Sequence, residues 1–263
     1  MADLPELLDD LCAEGDALDR LVADLTEGDW RRPTPAVGWT VAHQIGHLLW
    51  TDLAALTAIT DPDAFAAGVE GITDLDGFVD VGAAEHAVRE PGELLAHWRA
   101  ARRELAAALA GVPVGTKIAW YGPPMSAASM ATARIMETWA HGGDVAAALG
   151  VAQPATPRLR HIAHLGVRTR DFAFVIHDRA VPAEPFRVVL TAPDGSIWEW
   201  GPGDATQSVS GSALDFCRLV TQRVHRADTS LVAQGSDADI WLDLAQAFAG
   251  PPGPGRVQKA GDR

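Results

Sequence analysis

The sequence is that of an α+β protein, with a four-helix bundle expected over residues 1–155 and a small α+β domain over residues 156–263. Four long stretches with apolar residues at helical spacing precede Gly150. After it, two short alternating stretches flank Asp194-Gly195, a dipeptide typical of tight hairpin turns. The chain has 263 residues, and its hydrophobic fraction of 48% is sufficient for packed cores in both parts.

The four predicted helices have recognisable start and end signals. The first carries leucines at a period of about 3.6 residues, and Thr40 is placed to cap the second, beyond two helix-breaking prolines. Pro91 fits the first turn of the third helix, and Gly150 ends the fourth. The Gly- and Asp-rich residues 61–86 predict a long loop with a short helix. The four helices are expected over residues 4–25, 40–59, 91–109 and 126–149.

The second part is predicted to combine helices with a sheet. Strands are expected at Phe186–Thr191 and Ile197–Trp200, joined by the hairpin, with a third short strand at residues 207–210. The Pro- and Gly-rich residues from Gly250 onward predict a flexible tail. Helices are expected at residues 157–179, 212–224 and 237–248.

Composition narrows the range of partners. The formal net charge of −14 argues against nucleic acid and anionic membranes, which attract clustered lysines and arginines. We therefore expect a small-molecule substrate, with a monomer and a homodimer as open alternatives. Cys12 and Cys217 are too few for a disulfide framework, and neither a signal peptide nor a long apolar run is apparent. These features predict a soluble, unprocessed cytoplasmic protein.

Two helical fragments predict a metal site. Glu137 and His141 are four residues apart, so their side chains leave one face of the fourth helix about one turn apart. His47, in the second helix, supplies a third ligand. A histidine in an apolar helix is more often an ordinary core residue, but buried ionisable groups without a partner are costly, and a shared cation satisfies them. Two imidazoles and one carboxylate leave coordination positions open, as in a catalytic divalent site.

The same fragments resemble a known family, the mycothiol-dependent maleylpyruvate isomerases of actinobacteria. The resemblance is carried by Gly38-Trp39-Thr40-Val41 with His47-Leu48, and by Glu137-Thr138-Trp139-Ala140-His141-Gly142 with Asp144-Val145. It implies a DinB-like bundle in which His47, Glu137 and His141 bind zinc, with mycothiol as a co-substrate. It also implies a sterol-carrier-like second domain, to which the hairpin and residues 209–215 correspond, while residues 245–253 look like an uncharacterised metal-binding subgroup.

Further residues are candidate catalytic or binding groups. His43, one turn before the second-helix ligand, is a fourth ligand, a general base or a bundle residue. Asp144 either accepts a proton from a ligand imidazole or faces water at the helix end. The resemblance implies an active-site arginine from the second domain. Arg226 or Arg223 either binds an anionic substrate in that role, or the two arginines are a solvated pair. Arg134 either binds a substrate carboxylate or forms a surface ion pair.

A metal-dependent enzyme that activates a thiol is the leading hypothesis. The ion is expected to act as a Lewis acid that lowers the pKa of a coordinated thiol or polarises a substrate carbonyl. The resemblance makes mycothiol the thiol and a small electrophile the substrate, with group transfer or isomerisation as the reaction. Two alternatives remain open: a thiol-independent hydrolase, lyase or cyclase of specialised metabolism, and a small-molecule-binding protein without turnover.

Overall fold

The structure, a computed structural model, describes residues 3–250, 252–253 and 255–258. The chain divides into two compact units, the first up to Gln153 and the second from Pro154 onward. The first unit is helical, and the second contains a four-stranded sheet. The predicted α+β class, with helices first and the sheet later in the chain, is confirmed.

The first unit is built from helices. They are α1 (Leu4–Val22), α2 (Glu27–Trp30), α3 (Val41–Thr60), α4 (Pro62–Val69), α5 (Leu75–Ala87), α6 (Pro91–Gly111) and α7 (Ala127–Leu149). Helix α3 packs against α5, α6 and α7, while α1 packs against α6 and α7. This arrangement sets α3 beside α7, the two helices that carry the predicted metal ligands.

Local signals explain where these helices begin and end. The Asp3 side chain accepts a hydrogen bond from the backbone N–H of Glu6 at 3.0 Å, in a capping box at the start of α1. Ser126 caps α7 by accepting from the N–H of Ser129. Gly150 ends α7 in the left-handed conformation, with a φ of 70°, which favours glycine. The sequence signals at both ends of α7 therefore predicted its extent.

Residues 61–86 form two helices, so the prediction of a long loop in this segment is wrong. The side chains of Asp61 and Asp74 cap α4 and α5 by accepting backbone N–H groups of the first turn. A glycine permits the close approach of α5 to α3, because a Cβ at Gly46 would lie 2.6 Å from the backbone oxygen of Ala83. Packing and caps thus outweigh the low helix propensity of a Gly- and Asp-rich stretch.

Two apolar cores stabilise the first unit. One gathers Ile45 and Leu48 of α3 with Trp98 of α6, and the other gathers Leu109 of α6 with Met130 of α7; these side chains are buried. Helices α3 and α7 contribute residues to both cores. Because protein cores are close-packed, the position of α3 relative to α7 is fixed on both sides of the predicted ligands.

The second unit contains helices and one sheet. Its elements are α8 (Leu159–Arg168), α9 (Arg170–Ile176), β1 (Phe186–Thr191), β2 (Ile197–Trp200), β3 (Gln207–Ser212), α10 (Ala213–Val220), a 3-10 turn (Arg226–Asp228), β4 (Val232–Gln234) and α11 (Ser236–Leu244). The strand order is β2-β1-β3-β4, with β1 antiparallel to β2 and parallel to β3, and β3 antiparallel to β4. The predicted hairpin at Asp194-Gly195 is confirmed.

Some details of the second unit differ from prediction. The helix expected over residues 157–179 divides at Thr169 into α8 and α9, and β4 was not predicted. The predicted flexible tail falls in part on residues 251, 254 and 259–263, which lie outside the described residues. No helix in the described part of the chain combines the length and apolar character that a membrane span requires.

Candidate metal centre

The side chains of His47, Glu137 and His141 converge between α3 and α7. Each offers one ligand atom, and these atoms all lie within 4.8 Å of one another. The Nε2 atoms of His47 and His141 approach the same carboxylate oxygen, Oε2 of Glu137, at 3.3 Å and 3.2 Å. The spacing of four residues along α7 thus brings Glu137 and His141 to one face, and the packing of α3 adds His47.

A chain of hydrogen bonds sets the tautomer of His141. The Thr34 hydroxyl donates to the backbone oxygen of Trp39 at 3.0 Å, so it accepts the side-chain N–H of Gln44 at 2.8 Å. The Gln44 Oε1 atom then faces Nδ1 of His141 at 2.5 Å, and that nitrogen carries the proton. In the neutral ring, the lone pair of Nε2 points at the Glu137 carboxylate. The lone pair and the carboxylate repel each other, and a cation bound between them removes this repulsion. The donor set therefore fits a metal ion.

The three side chains are sheltered but reachable. The side chains of His47 and His141 are 9% and 10% exposed, while Glu137 keeps 22% exposure. Burial alone would raise the pKa of Glu137, but the rings of His141 and His47, which donate hydrogen bonds to it when they are protonated, outweigh burial and hold this pKa well below its usual value. The carboxylate is therefore ionised at neutral pH, as a metal ligand must be.

Aromatic rings border both histidines. The Trp39 ring stacks on His141, with centroids 5.9 Å apart and an interplanar angle of 20°, and lies 5.3 Å from the His47 ring. The Trp50 ring lies 6.0 Å from His47. The Trp39 indole N–H donates to Asp80 of α5 at 2.8 Å. Helix α5, in the segment predicted as a long loop with a short helix, thus helps to position the Trp39 ring.

Two parts of the chain match models of known protein families. Residues 11–146, more than half of the chain, match the family model of the mycothiol maleylpyruvate isomerase N-terminal domain. The chain belongs to this isomerase family. The resemblance noted from the sequence is therefore confirmed at the level of the family. In the second unit, residues 182–234 match a different model, described as wyosine base formation.

The chain is also similar to two relatives and to two solved structures. Two uncharacterized proteins of Mycobacterium tuberculosis, from strains CDC 1551 / Oshkosh and ATCC 25618 / H37Rv, are each 60% identical over 257 residues, which cover 97% of this chain and 100% of each relative. Two crystal structures of the mycothiol-dependent maleylpyruvate isomerase, one of them of a mutant, match with a TM-score of 0.61. Their identities are 16% and 17%, over 88% of this chain and 93% of theirs, so the likeness shows a shared fold.

The predicted catalytic residues of the first unit, His43 and Asp144, lie outside the converging group of this isomerase-family chain. His43 contacts the Thr40 hydroxyl through Nδ1 at 2.8 Å and closes the capping box of α3. Among the described residues, it does not belong to the converging group, so a fourth-ligand role is not supported; its role as a general base stays a prediction. Asp144 is 2% exposed, so the alternative that it faces water is wrong. The His141 Nδ1–H donates to Gln44, and the support of a ligand imidazole by Asp144 stays a prediction.

Two of the three candidate arginines, Arg134 and Arg226, are held by carboxylates. Arg134 forms a buried ion pair with Asp52 of α3, with Nε to Oδ1 at 2.9 Å, so neither predicted role, substrate binding or a surface pair, describes it. In the second unit, Arg226 is paired with Asp239 and Asp243 of α11. Its predicted role in binding an anionic substrate stays a prediction, and the guanidinium would have to leave these carboxylates to perform it.

Gln44 is the functional residue that sequence reasoning missed. It is fully buried and lies three residues before His47 on α3, so a signal was present: a polar amide on the ligand-bearing face of an apolar helix. Asp80 was also missed. Its segment carried no helical pattern strong enough to place its side chain next to Trp39.

Proposed function

We propose that this chain binds one divalent ion, zinc, through His47, Glu137 and His141. Two imidazole nitrogens and one carboxylate oxygen form a common donor set of catalytic zinc sites, which keep a position open for water or substrate. The observation that carries the proposal is the orientation of His141, whose Nε2 faces the Glu137 carboxylate at 3.2 Å while the side-chain oxygen of Gln44 faces its other nitrogen at 2.5 Å. Such hydrogen-bonded support of a ligand histidine is the rule in metal sites.

The proposed reaction is the addition of a thiol to a small electrophilic substrate, leading to transfer or isomerisation. A bound zinc ion supplies the means to lower the pKa of a thiol or to polarise a carbonyl. Membership of the isomerase family, together with the fold shared with the mycothiol-dependent enzyme, favours mycothiol as the thiol. The protein's own cysteines are poor substitutes, because burial raises the pKa of both Cys12 and Cys217.

His43 is the proposed proton acceptor. It is half-buried, and its ring lies 6.4 Å from that of Trp39, which in turn stacks on His141. Burial lowers the pKa of His43, with Asp80 opposing the shift, so its imidazole is neutral near pH 7 and able to take a proton from a thiol or a substrate carbon. Rotation of the His43 ring away from Thr40 would also free its Nδ1 atom to accept a proton.

Cobalt substitution tests the thiol hypothesis. A thiolate bound to cobalt gives an intense charge-transfer absorption that water does not give, so a band should rise as mycothiol is added to the cobalt-loaded protein. The band should be absent in His141→Ala. No spectral change at saturating thiol, combined with substrate turnover in thiol-free buffer, would reject thiol activation in favour of a hydrolase, lyase or cyclase.

A further inference from the structure

Aromatic side chains continue outward from the two histidines. Beyond Trp39, the ring of Trp50 contacts Phe78 at 5.2 Å and stacks on Tyr121 at 5.8 Å, while Phe78 and Tyr121 are 5.9 Å apart. These four half-buried rings, which we call the aromatic wall, come from the loop before α3, from α3, from α5 and from the loop before α7. The wall therefore extends from the predicted ligands across several elements.

The aromatic wall is not part of the interior of the first unit. Trp39, Trp50 and Phe78 belong to neither of the two apolar cores, and Tyr121 packs only at the edge of the second. Each of the four residues keeps part of its surface exposed, and two of them, Trp39 and Trp50, contact His47, which neighbours the accessible Glu137 carboxylate. Contiguous apolar surface beside converging polar groups is typical of a small-molecule site.

The rings are held in place before any ligand arrives. A Cβ at Gly82 of α5 would lie 2.6 Å from ring atoms of Trp50, so the absent side chain allows this ring to lie against the helix backbone. Trp39 is fixed at its other end by the hydrogen bond to Asp80. A preorganised surface loses less side-chain entropy on binding than a mobile one.

The charges next to the aromatic wall do not suit an anionic substrate. Burial raises the pKa of Tyr121 to about 12, so its hydroxyl group is neutral near pH 7. The carboxylate of Asp80, which accepts the indole N–H of Trp39, adds negative charge beside the wall. A substrate group that contacts the wall is therefore better uncharged.

We propose that the substrate of this site presents a flat, uncharged aromatic or conjugated group to Trp50, Phe78 and Tyr121, with its electrophilic atom toward His47, Glu137 and His141. This inference rests on the proposed function for the electrophilic end only. Binding of the flat group depends on the aromatic wall and needs no ion. It separates the substrate class of this chain from small dicarboxylates, which carry charge at both ends.

Fluorine NMR of the full chain labelled with 5-fluorotryptophan tests the proposal in both metal-free and zinc-loaded protein. The probes are 2-naphthol, flat and neutral near pH 7, and maleate, a small dianion. We expect 2-naphthol to shift the signals of Trp39 and Trp50 saturably in both states. The signals of Trp98 and Trp241, each 1% exposed, serve as internal controls and should not move. Single Trp→Phe variants assign the signals.

A matched pair of variants locates the binding. Phe78→Leu removes one wall ring and should weaken 2-naphthol binding about 2- to 10-fold, the worth of one aromatic contact. Phe172→Leu changes a half-buried phenylalanine of the second unit and should leave it unchanged. The proposal is overturned if 2-naphthol moves no tryptophan signal, moves all of them alike, or binds metal-free protein no better than maleate does. Because 2-naphthol is also added to metal-free protein, its binding to the aromatic wall is measured independently of zinc binding. A failure of the protein to bind zinc would therefore not be mistaken for a failure of this proposal.

Discussion

Replacing Gln44 with leucine tests whether its hydrogen bond prepares His141 for a metal. Gln44 is fully buried, and its Oε1 atom lies 2.5 Å from Nδ1 of His141. Leucine is close to glutamine in size, so the change removes the acceptor with little change in packing. It leaves the Nδ1–H group of a buried imidazole without a partner and frees the ring to turn or change tautomer.

The size of the effect follows from that lost bond. Leaving a buried donor unpaired costs about 1–3 kcal/mol. Part of this cost is the same in metal-free and metal-bound protein. That part lowers the folding stability but does not change the affinity for zinc. Coordination at Nε2 makes Nδ1–H a stronger donor, so a further part falls on the bound state alone. We expect the zinc Kd to rise about 10- to 100-fold, which corresponds to about 1.4–2.7 kcal/mol.

The assay is a competition titration of zinc against a chromophoric chelator at constant pH. Gln153→Leu is the matched control, since Gln153 also bonds to α7, through the backbone oxygen of Trp139 at 2.7 Å, in a contact that involves none of the predicted ligands. An unchanged zinc Kd in Gln44→Leu, or the same rise in both variants, would refute the role assigned to Gln44.

Three further predictions concern stability and reactivity. Arg134→Met leaves Asp52 buried and without its ion pair, so it should destabilise the protein by about 3–5 kcal/mol in urea unfolding. Adding Asp52→Leu to this variant should restore most of the lost stability. An additive loss in the double variant would contradict the pairing. A hydrogen bond from an arginine of α6 holds the pKa of Asp19 below its ordinary value of 3.8, so its stabilising contribution is present above about pH 4 and is lost as the pH falls through the lowered pKa. Asp19→Asn should therefore destabilise near neutral pH, and its difference from wild type should close in acid; a constant difference would be the contrary result. Cys12 is exposed while Cys217 is buried with a raised pKa, so a thiol reagent should label Cys12 alone in the native protein and both after denaturation, and rapid native labelling of Cys217 would contradict its burial.

The parts of this molecule that sequence could predict are those with a local pattern. Glu137 and His141 are four residues apart on a helix whose start and end carry recognisable signals, so their common face followed from helix geometry alone. His47 was identified because a polar side chain in an apolar helical run needs a partner. The three side chains converge as these patterns predicted, and the identity of a bound ion stays a prediction.

The parts that sequence could not predict depend on which helices meet. Asp52 and Arg134 are 82 residues apart, and nothing near either residue indicates that they form a buried pair. Residues 61–86 were predicted as a long loop with a short helix because glycine and aspartate have low helix propensity, whereas in the fold glycines at the α3–α5 contact allow close packing. Gln44 gave a weak signal, and its partner could be recognised only once α3 and α7 were placed side by side.

The metal content of purified protein tests the central claim most directly. Elemental analysis should find about one zinc or other divalent ion per chain in the wild type, as a site with three protein ligands implies. It should find the ion lost in folded His47→Ala, Glu137→Ala and His141→Ala variants. His43→Ala, altered one turn away from the converging group, should retain it. Full occupancy in a folded Glu137→Ala protein, or a metal-free wild type that takes up no added zinc, would contradict the account.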